Sequence, residues 1–473
     1  MSRRIDELLL LDSLDSEQAV IHAGQVDTSH WSEALGFRTC VSNWIASRHG
    51  RQTNLWFAFQ TAWLPWVRRR IQSAVMPVPL FSRRHLLCGT PLFAATPRMA
   101  IRKLTTRKHT IQNRDYLFLE VETDGGIIGL GEGSISGRVE IVEQAIQWFA
   151  PYLVGKDPGG IEDHWNRNYY ELSRYRDGPV LMTALAAVDI ALWDIEGKRL
   201  GEPVWRLLGA AARKPMRVYY SHWSHDLQPR TPERLAELAA STRQAGWSCV
   251  KWVLPKGGTE TERLKRLVAE VEAVRRGGGS DLEVALEMWE TFTVRSAIEF
   301  ARAVEPFHPL FIEEPTWRET PQALGEIASK SPVALAGGEG LVSRYEFKHL
   351  LDAKGAQILQ PDVVHCGGIT EIRKIASLGE LYGAEIAPHM YYGPVAHVAS
   401  LQSMAAVRSF LIQEWDARME AVFTGITRGS FPIAKNGHVT LTDRPGLGIE
   451  MDWAELDRRF PYRTQSLRPP GGR

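Results

Sequence analysis

Hydrophobic and polar positions follow two different periodicities along this chain. Between residues 100 and 133, apolar and polar side chains alternate at every second position, with an interruption at Asp124-Gly125-Gly126. This pattern predicts an antiparallel meander of strands with a turn at the glycines. Apolar residues then recur with helical spacing over residues 139–153 and 180–201. Because strands precede helices, we predict an α+β domain over residues 98–215.

From residue 216 onward, short apolar segments alternate with amphipathic helical segments. Eight such strands, spaced by roughly 25–35 residues, favour a closed parallel barrel over an open doubly wound sheet. An open sheet of that kind would carry a glycine-rich phosphate loop after its first strand, and the sequence has none there. The predicted strands are residues 216–223, 248–254, 283–289, 310–315, 332–339, 356–362, 384–390 and 409–415.

The predicted fold class is therefore α/β, with four segments, of which the first is the N-terminal extension 1–97. A (β/α) barrel over residues 216–425 would carry the catalytic site, and the α+β domain over residues 98–215 would precede it. We expect residues 426–473 to pack back on the α+β domain.

Ionisable residues lie at or near the C-terminal ends of seven predicted strands. Active sites of parallel barrels lie at this rim. Because these residues recur once per strand, we predict that they surround one shared pocket. Successive residues are separated by 23 to 36 positions. They are Lys251, Glu287, Glu313, Glu339, Asp362, His389 and Glu414.

Side-chain alternation indicates which of these residues face the barrel axis. On the third barrel strand, Ala285, Glu287 and Trp289 share the inner face, because successive strand residues point to opposite sides. On the fourth strand, alternation alone does not choose between Glu313 and Glu314, of which only one can enter the pocket.

The chemistry of this set points to a metal and a base. Three converging carboxylates would repel one another without a cation between them, and oxygen ligands without Cys or His favour Mg²⁺, with Mn²⁺ second. His389, preceded by Asp362 on the neighbouring strand, reads as an oriented general base. Lys251 could supply a second base or an electrostatic contact. A metal and a base together suit proton abstraction next to a carboxylate, with the metal stabilising the enediolate.

Bulk composition excludes several other classes of function. The net charge is +1, which gives no general attraction to nucleic acid or to anionic membranes. The sequence contains no run of about 18 consecutive apolar residues, so no transmembrane helix is predicted. The four cysteines show no metal-type spacing, which makes a disulfide framework improbable.

Residues 1–97 differ from the rest and are excluded from the fold prediction. Residues 82–97 combine two arginines, a short apolar stretch and small residues, and they resemble a twin-arginine export signal. Such a signal would be correctly placed only if translation began at Met76, and it would imply a periplasmic protein. Otherwise the segment is an untranslated or disordered extension, and the protein is cytoplasmic.

Five motifs, FIEEP, GGEG, QPDVVHCGGITE, IAPH and IQEW, occur in an order and spacing that resemble the mandelate racemase subgroup of the enolase superfamily. The helical segment around residues 178–209 is similar to galactonate dehydratase-type members, and the resemblance covers about residues 98–460. It implies an enolase-type modified TIM barrel with a capping domain, one Mg²⁺ per subunit and a homo-oligomer between dimer and octamer. It also implies an acid-sugar (aldonate or aldarate) substrate, dehydrated to a 2-keto-3-deoxy acid.

The resemblance assigns roles to individual positions of this sequence. Glu313 and Glu339 match metal ligands, and Asp362 and His389 match the general-base dyad. Two further matches are Glu414, the acid that hydrogen-bonds the substrate carboxylate, and Lys251, the first lysine of the Lys-x-Lys signature. We expect substrate specificity to come from residues 131–138, 172–178 and 390–394, together with Trp289.

Three positions depart from the family pattern. Glu287 stands where the first metal ligand is usually aspartate; its extra methylene adds about 1.5 Å of reach in a site where Mg²⁺ tolerates little spread. Trp289 replaces the catalytic histidine of galactonate dehydratases, and Val253 replaces the second lysine of the signature.

These departures bear on the reaction. Racemisation or epimerisation on the same fold remains an alternative, but it needs a base on each face of the substrate, and only His389 is assured. A non-catalytic binding or regulatory protein on a retired scaffold is a further alternative. Retention of the full set of charged residues argues against it.

Overall fold

The structure is a computed structural model that describes residues 99–172, 174, 176–211, 215–253 and 257–463. The predicted export signal, parts of the loop 172–178 and the last ten residues lie outside the described residues. None of the helices in the described residues combines the length and the hydrophobicity of a membrane span.

The first strands form the predicted antiparallel meander, in the order β1 (Ile101–Ile111), β2 (Arg114–Thr123) and β3 (Ile128–Glu132). Gln112 and Asn113 join β1 to β2 with φ of 50° and 64°, the two positive values that a type I′ hairpin turn requires. Three helices follow: α1 (Val139–Leu153), α2 (Ile161–Asn166) and α3 (Pro179–Leu200). The prediction for α1 has the observed bounds, and that for α3 is shifted by one residue.

Helix α3 packs directly on strand β3, and glycines make the close approach possible. A Cβ atom on Gly131 would lie 2.0 Å from the carbonyl oxygen of Ala187, and one on Gly129 would lie 2.2 Å from that of Ala191. Any side chain at these positions would force the helix away from the sheet. The two glycines therefore set the distance between the first sheet and α3.

The barrel contains eight parallel strands, of which seven lie within predicted ones and the first begins one residue before its predicted start. They are β4 (Pro215–Ser221), β5 (Cys249–Val253), β6 (Glu283–Glu287), β7 (Phe311–Glu313), β8 (Leu335–Gly337), β9 (Ile358–Leu359), β10 (Glu385–Ile386) and β11 (Gln413–Trp415). Their order runs from β10 down to β4 and then to β11. A parallel bridge between Ile386 and Phe410 joins β10 to the residues before β11, so the ring closes as predicted.

A helix follows each of the strands β4 to β10. The helices are α5 (Pro232–Gln244), α6 (Glu260–Gly278), α7 (Val294–Val304), α8 (Pro321–Lys330), α9 (Arg344–Asp352), α10 (Ile369–Leu381) and α11 (Pro394–Met404), and the short α4 (Val204–Leu207) precedes the barrel. Thr259 and Thr293 begin α6 and α7, where each hydroxyl accepts a hydrogen bond from the backbone N–H three residues on. The chain ends with α12 (Glu420–Ile426), β12 (His438–Thr440), which pairs antiparallel with β4, and α13 (Trp453–Arg459).

Seven of the eight barrel strands end earlier than the hydrophobic pattern predicts, and β11 ends at its predicted residue. Trp289 and Glu314 have φ of 45° and 38°, which an extended strand cannot accommodate. Pro361 and Pro388 lack the N–H that would continue the ladder. Three of the seven rim residues therefore stand beyond the ends of their strands, and the other four lie within strands.

Candidate metal centre and active site

The floor of the site is one layer of eight inward-facing, buried side chains, one from each strand or its immediate flank. Successive inward residues are two positions apart, so the next layer toward the C-terminal rim can be read from the first. The floor consists of Tyr219, Cys249, Ala285, Phe311, Ala336, Ile358, Ala387 and Ile412. Two residues beyond each lie Ser221, Lys251, Glu287, Glu313, Gly338, Gln360, His389 and Glu414.

This arrangement decides the choice between Glu313 and Glu314. Glu313 follows the inward-facing Phe311 by two residues and is fully buried. Glu314 follows the outward-facing Ile312, and its carboxylate accepts a hydrogen bond from the backbone N–H of Gly338 at 3.3 Å.

Three carboxylates meet as the sequence predicts. Glu287 and Glu313 are partners in the β6–β7 ladder, and Glu339 follows β8. One oxygen from each of the three residues lies within 4.8 Å of the others. The Oε1 atom of Glu313 is buried and accepts no hydrogen bond from the described residues. Free oxygen donors in this arrangement fit a hard divalent cation.

Lys251 lies beside these carboxylates and compensates part of their charge. Its Nζ atom is 2.6 Å from Glu313, 3.3 Å from Glu287 and 3.4 Å from Glu414. Burial would lower the pKa of Lys251, but these carboxylates, Glu313 first, hold it well above its usual value. Burial, reinforced by the neighbouring Glu313, raises the pKa of Glu287.

Gln360 is a site residue that the sequence analysis did not single out. Its Nε2 atom donates to Glu313 Oε2 at 2.6 Å, and its side chain is fully buried. Strand alternation could have identified it, because it lies two residues before Asp362 on the inner face of the same segment. Gln360 and Lys251 together hold Oε2 of Glu313 and leave Oε1 free.

His389 and Asp362 form the predicted pair. His389 Nδ1 is 2.7 Å from Asp362 Oδ2, and because a carboxylate only accepts, the Nδ1–H donates. His389 Nε2 is 3.3 Å from Glu339 and 3.8 Å from Glu414. Burial would lower the pKa of His389, but the surrounding carboxylates, Glu339 first, raise it to about 10.

Glu414 completes the ring between His389 and Lys251. It accepts hydrogen bonds from Ser221 Oγ at 2.5 Å and from the backbone N–H of Met390 at 3.0 Å. Burial opposes ionisation of Glu414, but Lys251 and His389 outweigh it and lower the pKa to about 2. Glu414 is therefore an ionised acceptor at neutral pH.

The prediction that Trp289 lies on the inner face of the barrel is wrong, because the strand and its alternation end before this residue. Strand β6 ends at Glu287, and the Trp289 side chain is 50% exposed, so it does not plug the barrel. Its backbone N–H donates to Glu287 Oε1 at 2.7 Å, which orients the unusual glutamate. A role of the Trp289 side chain in substrate binding stays a prediction, and the side chain of Val253 lies outside what the structure describes.

The first domain contacts the rim at residues 390–394. Glu132 accepts hydrogen bonds from the backbone N–H of Gly393 at 2.6 Å and of Ala396 at 3.0 Å. The Arg114 guanidinium lies 3.6 Å from the centre of the Tyr391 ring. Two of the predicted specificity segments, 131–138 and 390–394, therefore meet each other.

Comparison with known proteins agrees with this architecture. Residues 90–209 match the mandelate racemase/muconate lactonizing enzyme N-terminal domain, and residues 234–455 match the enolase C-terminal domain-like family. The chain is 37% identical to a D-galactonate dehydratase of Variovorax paradoxus over 73% of this chain and 92% of that protein. It is 36% identical to a D-galactonate dehydratase of Cronobacter sakazakii, over 76% of this chain and 94% of that protein.

Solved structures show the same similarity. A mandelate racemase/muconate lactonizing enzyme-like protein of Roseovarius sp. superposes with a TM-score of 0.72 at 28% identity, over 77% of this chain and 96% of that chain. With both domains matched and relatives above one-third identity across most of its length, the chain belongs to the mandelate racemase/muconate lactonizing enzyme family of the enolase superfamily.

Proposed function

We propose that the protein is a Mg²⁺-dependent hydro-lyase that dehydrates an acid sugar of the galactonate type to a 2-keto-3-deoxy acid. The observation that carries this proposal is the meeting of the three-carboxylate cluster and the His389–Asp362 pair at one barrel rim. The similarity to D-galactonate dehydratases over most of the chain supports the same reaction class.

Glu287, Glu313 and Glu339 would hold the metal ion. All three are oxygen donors, and the free Oε1 of Glu313 is the kind of buried acceptor that a bound cation satisfies. When bound, Mg²⁺ supplies positive charge that stabilises negative charge developing beside the substrate carboxylate. Mn²⁺ has the same ligand preferences and is the second choice.

His389 would remove the proton next to the substrate carboxylate. Its Nδ1–H is held by Asp362, so Nε2 is the nitrogen that faces the pocket. A cation held by Glu339 and its neighbours would offset the negative charge that raises the pKa of His389, and Nε2 could then accept the proton. Trp289 stands where galactonate dehydratases carry a separate acid, so His389 would then return the proton to the departing β-hydroxyl on the same face. A single histidine that acts twice accounts for dehydration without a second acid.

Lys251 and Glu414 would bind and orient the substrate rather than exchange protons with it. Three carboxylates surround the Lys251 ammonium, so it is poorly suited to serve as the second base that racemisation needs. Glu414, being ionised, can accept a hydrogen bond from a substrate hydroxyl, but it meets a substrate carboxylate only if one of the two carries a proton. These features favour dehydration over racemisation or epimerisation.

A library of sugar acids, assayed for keto-acid product with Mg²⁺ and with EDTA, tests the proposal. We expect Mg²⁺-dependent turnover of at least one aldonate and an Mg²⁺-dependent rise in melting temperature. Binding of sugar acids without turnover would instead support a retired scaffold.

The variant His389→Asn tests the role of the base. It should abolish turnover and keep the melting temperature within a few degrees, because the amide retains a donor toward Asp362 but cannot take up a proton. The matched control is His308→Asn, on an exposed surface position, which should keep full activity. Substantial activity in His389→Asn would contradict the single-histidine mechanism.

A further inference from the structure

A cavity lies beside the ring of charged residues, beneath the segment that follows β4. Its volume is about 170 Å³, and it is lined by His222, Ser224, Gln228, Arg230 and Trp252 among others. Because one water occupies roughly 30 Å³, this volume accommodates several waters or a short polar chain. None of the predicted metal ligands or bases lines it.

His222 connects this cavity to the active site. Its Nδ1 is 2.7 Å from Ser221 Oγ, and that hydroxyl in turn contacts Glu414 Oε1. Its ring centroid is 5.3 Å from that of Tyr391, in the segment that follows His389. The side chain therefore lies between Glu414 and the cavity.

The available hydrogen-bond donors determine which nitrogen of His222 carries the proton. The Ser221 hydroxyl has one proton, and the ionised Glu414 can only accept, so that proton is directed to Glu414. The contact between Ser221 and His222 must then run from Nδ1–H to Oγ. Burial lowers the pKa of His222 to about 4, so the ring is neutral at physiological pH. A neutral ring with its proton on Nδ1 has Nε2 as a hydrogen-bond acceptor.

The other lining residues include the apolar side chains of Leu227 and Trp252, polar groups and Arg230, whose charge is balanced. Arg230 donates from Nε and Nη2 to Glu270 Oε2 at 3.1 and 2.8 Å, and from Nη1 to Ser224 Oγ at 3.0 Å. Glu270 is buried and Arg230 is partly buried, and their pairing leaves little charge to attract an anion. Arg230 has five N–H groups in all, which leaves donors for a neutral partner.

We infer that this cavity is a subsite for the distal hydroxyl groups of the substrate, with His222 Nε2 as acceptor and Arg230 as donor. The inference rests on the proposed function, because it assigns the far end of the same sugar acid. A hydroxyl both donates and accepts, as these two residues require. A second carboxylate would face the unprotonated nitrogen of His222 and the nearby Glu414 and Glu270. The subsite therefore selects aldonates over aldarates.

Two variants at His222 separate this role from support of Glu414. In His222→Asn, the amide nitrogen lies near the position of Nδ1, so the contact with Ser221 persists and the acceptor in the cavity is lost. In His222→Gln, the amide reaches the position of Nε2 and can present an oxygen to the cavity. Asparagine also tolerates the positive φ of 54° at this position. The control His308→Asn makes the same exchange at a φ of 48° on the surface.

The probes are D-galactonate, its dicarboxylate analogue galactarate and the four-carbon D-threonate. Loss of one neutral hydrogen bond predicts a KM for D-galactonate about five- to tenfold higher in His222→Asn, with kcat within about twofold. His222→Gln should recover most of this loss. D-threonate, which lacks the distal carbons, should bind equally to wild type and both variants, and wild type should prefer D-galactonate over galactarate.

Calorimetric titration of D-galactonate gives the same comparison without turnover. Equal affinity of wild type and His222→Asn for D-galactonate, or an equal loss for D-threonate, would overturn the subsite. A wild-type preference for galactarate would overturn it as well. Absence of turnover in wild type with a retained difference in affinity would refute the dehydratase proposal and leave the subsite supported.

Discussion

At the residue scale, Lys251 and the glutamates around it show how the pocket tolerates so much negative charge. The ammonium lies within 3.4 Å of three carboxylates that come from three different strands. Desolvated carboxylates repel one another strongly unless a cation lies among them. Lys251 is that cation within the protein, and a bound metal ion would add to it.

Lys251→Met should therefore destabilise the protein most when no metal is available. Removal of one partner from a buried ion pair typically costs about 3–5 kcal/mol, and we expect a decrease of this size in the free energy of unfolding in EDTA. Mg²⁺ should stabilise the variant more than wild type, because the ion would offset the uncompensated carboxylates. Urea unfolding with and without Mg²⁺ measures both effects.

Lys330→Met is the matched control for this experiment. Lys330 forms an exposed pair with Glu326, and such surface pairs contribute little to stability. A loss in Lys251→Met no larger than that of the control would contradict the role given to Lys251.

At the element scale, helix α3 is the part that joins the two halves of the molecule. Its polar residues bind backbone groups rather than substrate: Asp194 accepts from the N–H groups of Leu130 and Leu447, each at 2.8 Å. Asp189 accepts from the N–H of Thr370 at 3.0 Å, in the first turn of α10. The helix is therefore tied to the first sheet, to the barrel and to the C-terminal segment.

The carboxyl group of Asp189 makes stability depend on pH. Burial raises its pKa from 3.8 to about 7, against the opposing hydrogen bonds from Thr370. Between about pH 4 and about pH 7, the folded protein holds a proton that the unfolded chain releases, so the contribution of Asp189 declines as pH rises and is constant above that window. Asp189→Asn removes this dependence, because the amide does not titrate.

The stability difference between wild type and Asp189→Asn should therefore shift in favour of the variant from about pH 4 to about pH 7. Urea unfolding across this range measures it, with Asp163→Asn on the exposed side of α2 as control. A difference that stays constant over the whole range would show that Asp189 is ionised in the folded protein.

At the scale of the whole molecule, the first domain and the C-terminal segment both reach the elements that carry the site. Glu132 binds the N-terminal end of α11, and Trp453 Nε1 donates to Glu120 on β2 at 2.7 Å. The segment between His389 and α11 is thus held from the side of the first domain. Its position determines where the base and residues 390–394 stand.

Glu132→Gln tests this connection between the domains. One of its two oxygens becomes an NH₂ group, which faces the backbone N–H of either Gly393 or Ala396, so we expect a loss of about 1–3 kcal/mol in unfolding free energy. We also expect a lower kcat, because the segment after His389 loses an anchor. Thermal unfolding and steady-state kinetics measure the two effects.

Glu122→Gln, in a partly exposed pair with Lys103, is the control and should leave both quantities near those of wild type. Unchanged kcat in Glu132→Gln despite lower stability would restrict Glu132 to a structural role.

Much of the molecule follows from the sequence alone. The strand repeat and the residues that keep step with it identify the barrel, its rim and the three carboxylates with the His389–Asp362 pair, because parallel strands present their C-terminal ends on one side. The hydrophobic pattern also locates α1 and α3 to within one residue. Local periodicity suffices for these features, since it reports which face of each element is buried.

Tertiary structure alone decided the rest. Glu313 rather than Glu314 enters the pocket because the pairing of β6 with β7 sets which side chain faces the axis. Trp289 leaves the inner face because the backbone turns at the rim, where left-handed conformations interrupt the alternation. The contact of Gln360 with Glu313, the contact of Ser221 with Glu414 and the cavity behind His222 form only when distant strands close into a ring, since the partners are far apart in the sequence.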